Sequence, residues 1–110
     1  MYVLGKDSEM KKIYVSGKMT GLVDMGRCFF ESGVEEVEAS GCVALNPHDV
    51  VVEDGAGWRE YMEADLIELG KCDGIYMLWN WRDSAGACVE RRYAKNHGIK
   101  VYYELNPYVY

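Results

Sequence analysis

Four short apolar runs, separated by stretches with helical period, leave this chain little choice of architecture. Lys12 to Ser16 (KIYVS), Cys42 to Leu45, Gly74 to Leu78 (GIYML) and Ile99 to Tyr103 read as strands, being short and rich in β-branched, aromatic or other apolar residues. Between the first two, from about Met25 to Ser40, Phe30, Val34 and Val37 recur at i, i+4 and i+7, the period of a buried helix face, and Gly41 closes the helix. Between the next two, Trp58, Tyr61, Met62, Leu66 and Leu69 form a second helical stripe that ends at Gly70. A third helix starts at Ser84, suited to an N-cap, runs to about Asn96 and stops at Gly98. Strands alternating with crossover-length helices predict an α/β domain, a parallel sheet covered on both faces. Ligands of such sheets bind outside the carboxyl ends of the strands, so the loops after the first three strands become the places to look.

A chain of 110 residues fits one domain, expected to span residues 1–110. Residues 1–11 read as a lead-in or a short extra strand, and Asn46–Pro47 as a turn. Lys and Arg number 12 against 18 Asp and Glu, a net charge of −6. With no basic block, the chain is a poor partner for a nucleic-acid polymer, whose backbone needs clustered cations. A small anion stays within reach, because a few backbone N–H groups can hold one. Cys28, Cys42, Cys72 and Cys88 show no Cys-x-x-Cys pair, and His48 and His97 add no zinc-type spacing, so no metal is expected. The cysteines read as reduced and mostly buried, which favours a cytoplasmic location. The first residues lack a signal-peptide core, and no run reaches membrane-spanning length.

Two carboxylates break the local pattern. Asp65 falls at i+7 of the stripe that begins at Trp58, where a leucine would fit. A carboxylate there is either solvated at the edge of the stripe or aimed at a site, since burying it unpaired is costly. Glu90 shares its helix face with Gly86, Ala87 and Ala94, small residues that permit close approach of a sheet or ligand. It reads either as a surface glutamate or as an anion favoured by the helix N-terminus. Gly17 and Gly21 follow a strand and Gly86 opens a helix, places where backbone can approach a phosphate or sugar. Tyr14 and Lys18 admit core and surface readings, and Trp79 and Trp81 either stack on a base or cover the core rim. Two carboxylates converging on one edge are the equipment for chemistry at a glycosidic carbon, one attacking and one managing the proton.

The run Lys12-Ile13-Tyr14-Val15-Ser16-Gly17-Lys18-Met19-Thr20-Gly21 resembles the opening of the nucleoside 2-deoxyribosyltransferase-like superfamily, most closely a small bacterial and phage branch that reads Ser-Gly-x-Met-Thr-Gly. The likeness continues through Asn46–Pro47, Trp58, Tyr61-Met62, Asp65-Leu66, Cys72–Asp73, Trp81, Ser84, Gly86–Ala87, Glu90 and Ala94, about residues 12 to 103. It implies a flavodoxin-like or Rossmann-like three-layer sandwich with a four- to five-stranded, mainly parallel sheet. It also implies Glu90 as nucleophile, Asp65 as proton donor to the base, Tyr14 beside the nucleophile and Ser84 on a 5′-phosphate. Further phosphate contacts would come from Ser16, Gly17 and Lys18, without a cofactor.

The resemblance further implies a nucleoside or nucleotide as small-molecule partner and a homo-oligomer whose tail, Tyr108-Val109-Tyr110, completes a neighbour's site. Thr20 stands where the nucleotide hydrolases of the superfamily often carry arginine. Ser84, with Asp83 beside it, stands where the transferases carry aspartate. The expected function is therefore an N-glycosidase acting on a (deoxy)nucleoside 5′-monophosphate. The alternatives are a nucleoside 2-deoxyribosyltransferase at the same site and a nucleotide-binding module without turnover.

Overall fold

The first apolar run lies at the heart of the sheet, where both faces of a strand are covered and every side chain must fit a core. It forms β1 (Lys12–Ser16), with Tyr14, Val15 and Ser16 fully buried. In the computed structural model, which describes residues 10–105, three further strands join it: β2 (Val43–Leu45), β3 (Gly74–Met77) and β4 (Lys100–Tyr103). All pair in parallel in the order β2-β1-β3-β4, so their carboxyl ends share one edge. Residues 1–9 of the expected lead-in (1–11) and the tail 108–110 lie outside the described residues.

Helix α1 (Arg27–Ala39) links β1 to β2, α2 (Trp58–Leu69) links β2 to β3, and α3 (Ala85–Asn96) links β3 to β4. Strand periodicity divides the side chains between two cores. Ile13 and Val15 pack with Phe30 and Val37 of α1 and with Leu78. Tyr14, Ile75 and Met77 pack on the other face, with Leu69 of α2 and Ala87 and Ala94 of α3. The result is the expected three-layer α/β sandwich, with α1 on one face and α2 and α3 on the other. The chain leaves β1 toward β2 and later returns on β1's other side, so β1 and β3 flank the switch point at which such folds open a crevice.

Three expectations need correction. Helix α1 starts at Arg27 because Asp24, Met25 and Gly26 all adopt left-handed backbone, with φ of 50°, 54° and 71°. That conformation opposes a right-handed helix and costs about 1 kcal/mol or more at each non-glycine residue. Trp58 and Tyr61 are 59% and 48% exposed, because only the later part of the α2 stripe, Met62 and Leu69, is buried. Of the four free cysteines only Cys72 is buried, while Cys28 is exposed and Cys42 and Cys88 are half-buried. No described helix is long and apolar enough to cross a membrane.

Candidate active site

Parity in β1 places Tyr14 and Ser16 on the same face, side by side at the carboxyl end of the central strand. Opposite them α3 presents Ala87 and Ala94, both fully buried, so the helix lies close to the sheet. Glu90 stands between those alanines and is only 5% exposed. The Tyr14 hydroxyl donates to Glu90 Oε2 at 2.6 Å, and the Ser16 hydroxyl donates to Glu90 Oε1 at 2.6 Å. Both carboxyl oxygens are thus engaged by buried hydroxyls more than seventy residues away in sequence. Glu90 lies in the second turn of α3, where the helix dipole has largely faded, so the two hydroxyls are the groups that favour its anion.

Asp65, half-buried on α2, reaches the same cluster and interacts with both Glu90 and Tyr14. Burial pushes the Glu90 carboxyl up to about 8, with Ser16 and Tyr14 pulling it back and the Asp65 charge adding to the rise. Burial likewise raises Asp65 to about 6 against the pull of Glu90 and Tyr14. Two interacting carboxyls raised in this way titrate as a pair and share one proton near neutrality. Burial, followed by the neighbouring Glu90 and Asp65 charges, raises Tyr14 well above its ordinary value, so it remains a neutral donor.

The loops at the edge carry the other candidates. Gly17 lies against the loop after β3: a Cβ there would come within 2.7 Å of Leu78 and 3.1 Å of Asn80 Oδ1, so only glycine permits this approach. The Lys18 N–H, expected to be available for a phosphate, donates to Asn80 Oδ1 at 3.0 Å. Ser84 caps α3, its Oγ accepting from Ala87 N at 3.0 Å, which leaves its hydroxyl hydrogen to donate. The N–H groups of Ala85 and Gly86, in the first turn, have no acceptor within the helix. A Cβ on Gly86 would lie 3.2 Å from Met62 Sδ and 4.0 Å from Trp58 Nε1, so α2 borders this helix start. Asp83 is exposed in the turn Trp81–Asp83.

The tryptophans named from sequence take other contacts. Trp79 packs edge-on against Phe29 of α1, with ring centroids 5.5 Å apart, and its backbone N–H donates to Glu104 Oε1. Trp81 lies 5.9 Å from the Tyr103 ring, with the Arg82 and Arg91 guanidinium groups 5.1 and 4.8 Å from its centroid. A groove of about 440 Å³ between α2 and the loop after β2, bordered by Leu45, Asn46, Val51 and Ile67, includes neither carboxylate. Among the described residues, no group of three or more His, Cys, Asp or Glu is arranged to hold a metal ion.

Sequence reading missed two residues. Trp58 reads as a core residue by its spacing, yet it stands exposed beside Gly86. Asn80 carries no motif, yet it is 5% exposed and joins the loops after β1 and β3. Its Nδ2 is buried with no hydrogen-bond partner, a deficit worth about 1–3 kcal/mol. A polar residue between two tryptophans was the available signal.

A four-stranded parallel sheet between two helical layers, with a glutamate, an aspartate and a tyrosine gathered beside its switch point, defines an α/β sandwich with a candidate acid–base site. The chain belongs to the family described as Domain of unknown function (DUF4406), whose model matches residues 11–103. Among solved structures it is similar to a 2-desoxiribosyltransferase from Leishmania mexicana (TM-score 0.66, 21% identity, covering 84% of this chain and 63% of that one). It is also similar to a 2-deoxyribosyltransferase from Bacillus psychrosaccharolyticus (TM-score 0.66, 18% identity, 84% and 70%). A conserved protein from Enterococcus faecalis V583 gives a TM-score of 0.68 at 19% identity, over 91% of this chain and 66% of that one. The chain therefore spans 63% of the Leishmania protein's length and shares its fold. No match is found among the curated proteins.

Proposed function

We propose that this protein cleaves the N-glycosidic bond of a (deoxy)nucleoside 5′-monophosphate through a glycosyl ester on Glu90. The observation that carries the reading is the buried carboxyl pair, with Tyr14 and Ser16 each donating to one Glu90 oxygen. A Glu90 oxygen attacks the anomeric carbon and forms a C–O bond. The C–N bond breaks, its electron pair leaves with the base, and the base takes the proton shared with Asp65. Water then attacks the same carbon and gives its proton back to the carboxyl pair, and the ester bond to Glu90 breaks. Positive charge developing at the anomeric carbon favours the ionised form of Glu90, so the shared proton moves toward the departing base as the bond stretches.

The phosphate would be held by the Ser84 hydroxyl, the first-turn N–H groups of α3 and the Lys18 ammonium. Trp58, exposed beside Gly86, is better placed than Trp79 or Trp81 to stack on the base. Ser84 at the position six residues before Glu90 favours a nucleotide over a nucleoside. The 2-deoxyribosyltransferases among the fold's relatives favour a second reading, in which another base replaces water as acceptor. The test is chromatography of the protein with nucleosides and their 5′-monophosphates, with and without a second base, beside Glu90→Ala. Free base from the wild type alone supports hydrolysis, and a new nucleoside supports transfer. No product under any condition leaves a binding module without turnover.

A further inference from the structure

We infer that Asn80 is a ligand-binding residue, whose side-chain amide donates to a phosphate oxygen while its carbonyl holds the loop after β1; this rests on the nucleotide reading above. The amide's orientation is fixed by chemistry: only its oxygen can accept the Lys18 N–H, at 3.0 Å, so the group left over is the NH₂. That Nδ2 is buried and has no acceptor. Buried donors in folded proteins are nearly always paired, and exceptions mark a missing ion, water or ligand. The position narrows the choice. Asn80 follows β3 at the carboxyl edge, four residues before the Ser84 cap of α3, and its Oδ1 lies 3.1 Å from where a Gly17 Cβ would be. It therefore sits at the seam between the two loops that carry the phosphate candidates.

The phosphate candidates along this edge are all donors, the first-turn N–H groups of α3, the Ser84 hydroxyl and the Lys18 side chain, and the carboxylate of the same turn, Asp83, is exposed. An additional unpaired N–H donor is best matched by an anionic oxygen, the strongest acceptor a nucleotide offers, and gives nothing to an apolar group. Because the Nδ2 is covered in the unliganded protein, the phosphate reaches it by displacing what covers it, while the Lys18 N–H stays on Oδ1. Asn80 would thus couple phosphate binding to the position of the strand end that carries Ser16 and Tyr14.

Equilibrium binding of the four 2′-deoxynucleoside 5′-monophosphates and their nucleosides is compared for wild type and Asn80→Asp. The aspartate keeps an acceptor for the Lys18 N–H and replaces the donor with a negative charge. Monophosphate binding should weaken by about tenfold or more, the loss expected for one hydrogen bond to a charged group, while nucleoside binding holds. Should Asn80→Asp fail to fold, Asn80→Leu, of similar shape and uncharged, is measured in its place with the same expectation. Equal losses for both ligand types, no loss, or no preference of the wild type for the monophosphates would overturn the inference. Base release by the wild type is followed on the same panel. Selective loss without any base release sustains Asn80 as a phosphate ligand and sinks the glycosidase. Base release with an indifferent Asn80→Asp does the reverse.

Discussion

Each face of the sheet presents a tyrosine to a glutamate from a helix, and the two pairs have opposite characters. On the α2 and α3 face, Tyr14 donates to Glu90 at 2.6 Å, with Tyr14 fully buried and Glu90 5% exposed. On the α1 face, Tyr76 donates to Glu36 at 3.1 Å in an exposed setting. Register puts Val15 opposite Tyr76, so the two tyrosines point to opposite sides of adjacent strands. A second carboxylate attends each pair: Asp65 for Glu90, and Glu104 for Glu36, where burial and the Glu36 charge raise the Glu104 carboxyl. The difference is depth. Covered by two helices, the first cluster carries carboxyls raised to about 6 and 8 and holds both Glu90 oxygens in hydrogen bonds. The second cluster borders a groove of about 370 Å³ on the α1 face, lined in part by Glu36, Tyr76 and Tyr102. The same residue types therefore make a buried, coupled carboxyl pair on one face and an exposed contact on the other.

The largest separation between the clusters should come from their glutamates. Glu90→Gln should lower base release by roughly three orders of magnitude or more, as loss of a nucleophile does, while Glu36→Gln leaves the rate within about twofold. Asp65→Asn should cost about 10²–10⁴-fold, and the alkaline limb of the pH–rate profile should disappear because no shared acid remains. The wild-type profile itself should be a bell, falling below about 6, where both carboxyls are protonated, and above about 8, where neither is. A profile flat across that window would mean that the pair does not carry the chemistry.

Ser16→Ala should slow the reaction by about tenfold and move the profile to higher pH, since the lost hydroxyl favoured ionised Glu90. Stability carries the same signature. Glu90 has a folded pKa above its unfolded value, so its contribution is present below pH 4.5 and is lost as pH rises toward about 8. Thermal melts should accordingly show Glu90→Gln gaining on the wild type between pH 5 and pH 8. Tyr76→Phe is the smallest change, less than ~1 kcal/mol at any pH, because an exposed hydrogen bond exchanges readily with water.

The order of elements was legible because each run carries its own period, and strand and helix bounds fall within about two residues of those expected. The convergence of Glu90, Asp65 and Tyr14 was legible in part, since small residues at Ala87 and Ala94 marked the buried face of α3. What sequence could not supply was pairing across distance. The Ser16 hydroxyl meets Glu90 74 residues away, which turns an expected phosphate contact into a partner of the glutamate. The amide of Asn80 meets the Lys18 N–H 62 residues away and occupies a donor expected to be open. Left-handed backbone at Met25 was hidden because methionine rarely adopts it, and Asp24, of a type that tolerates it better, is far more often right-handed or extended. Trp58 kept the helical spacing but lies on the exposed opening turn of α2.

The ester on Glu90 can be sought directly. The protein is mixed with a 2′-fluorinated nucleoside 5′-monophosphate, which slows release of the sugar, then quenched in acid and examined by intact-mass and peptide mass spectrometry. Glu90 as nucleophile predicts a mass increase of one sugar phosphate on the peptide that contains Glu90, absent in Glu90→Gln. Base release without that adduct, or an adduct on another residue, would contradict it.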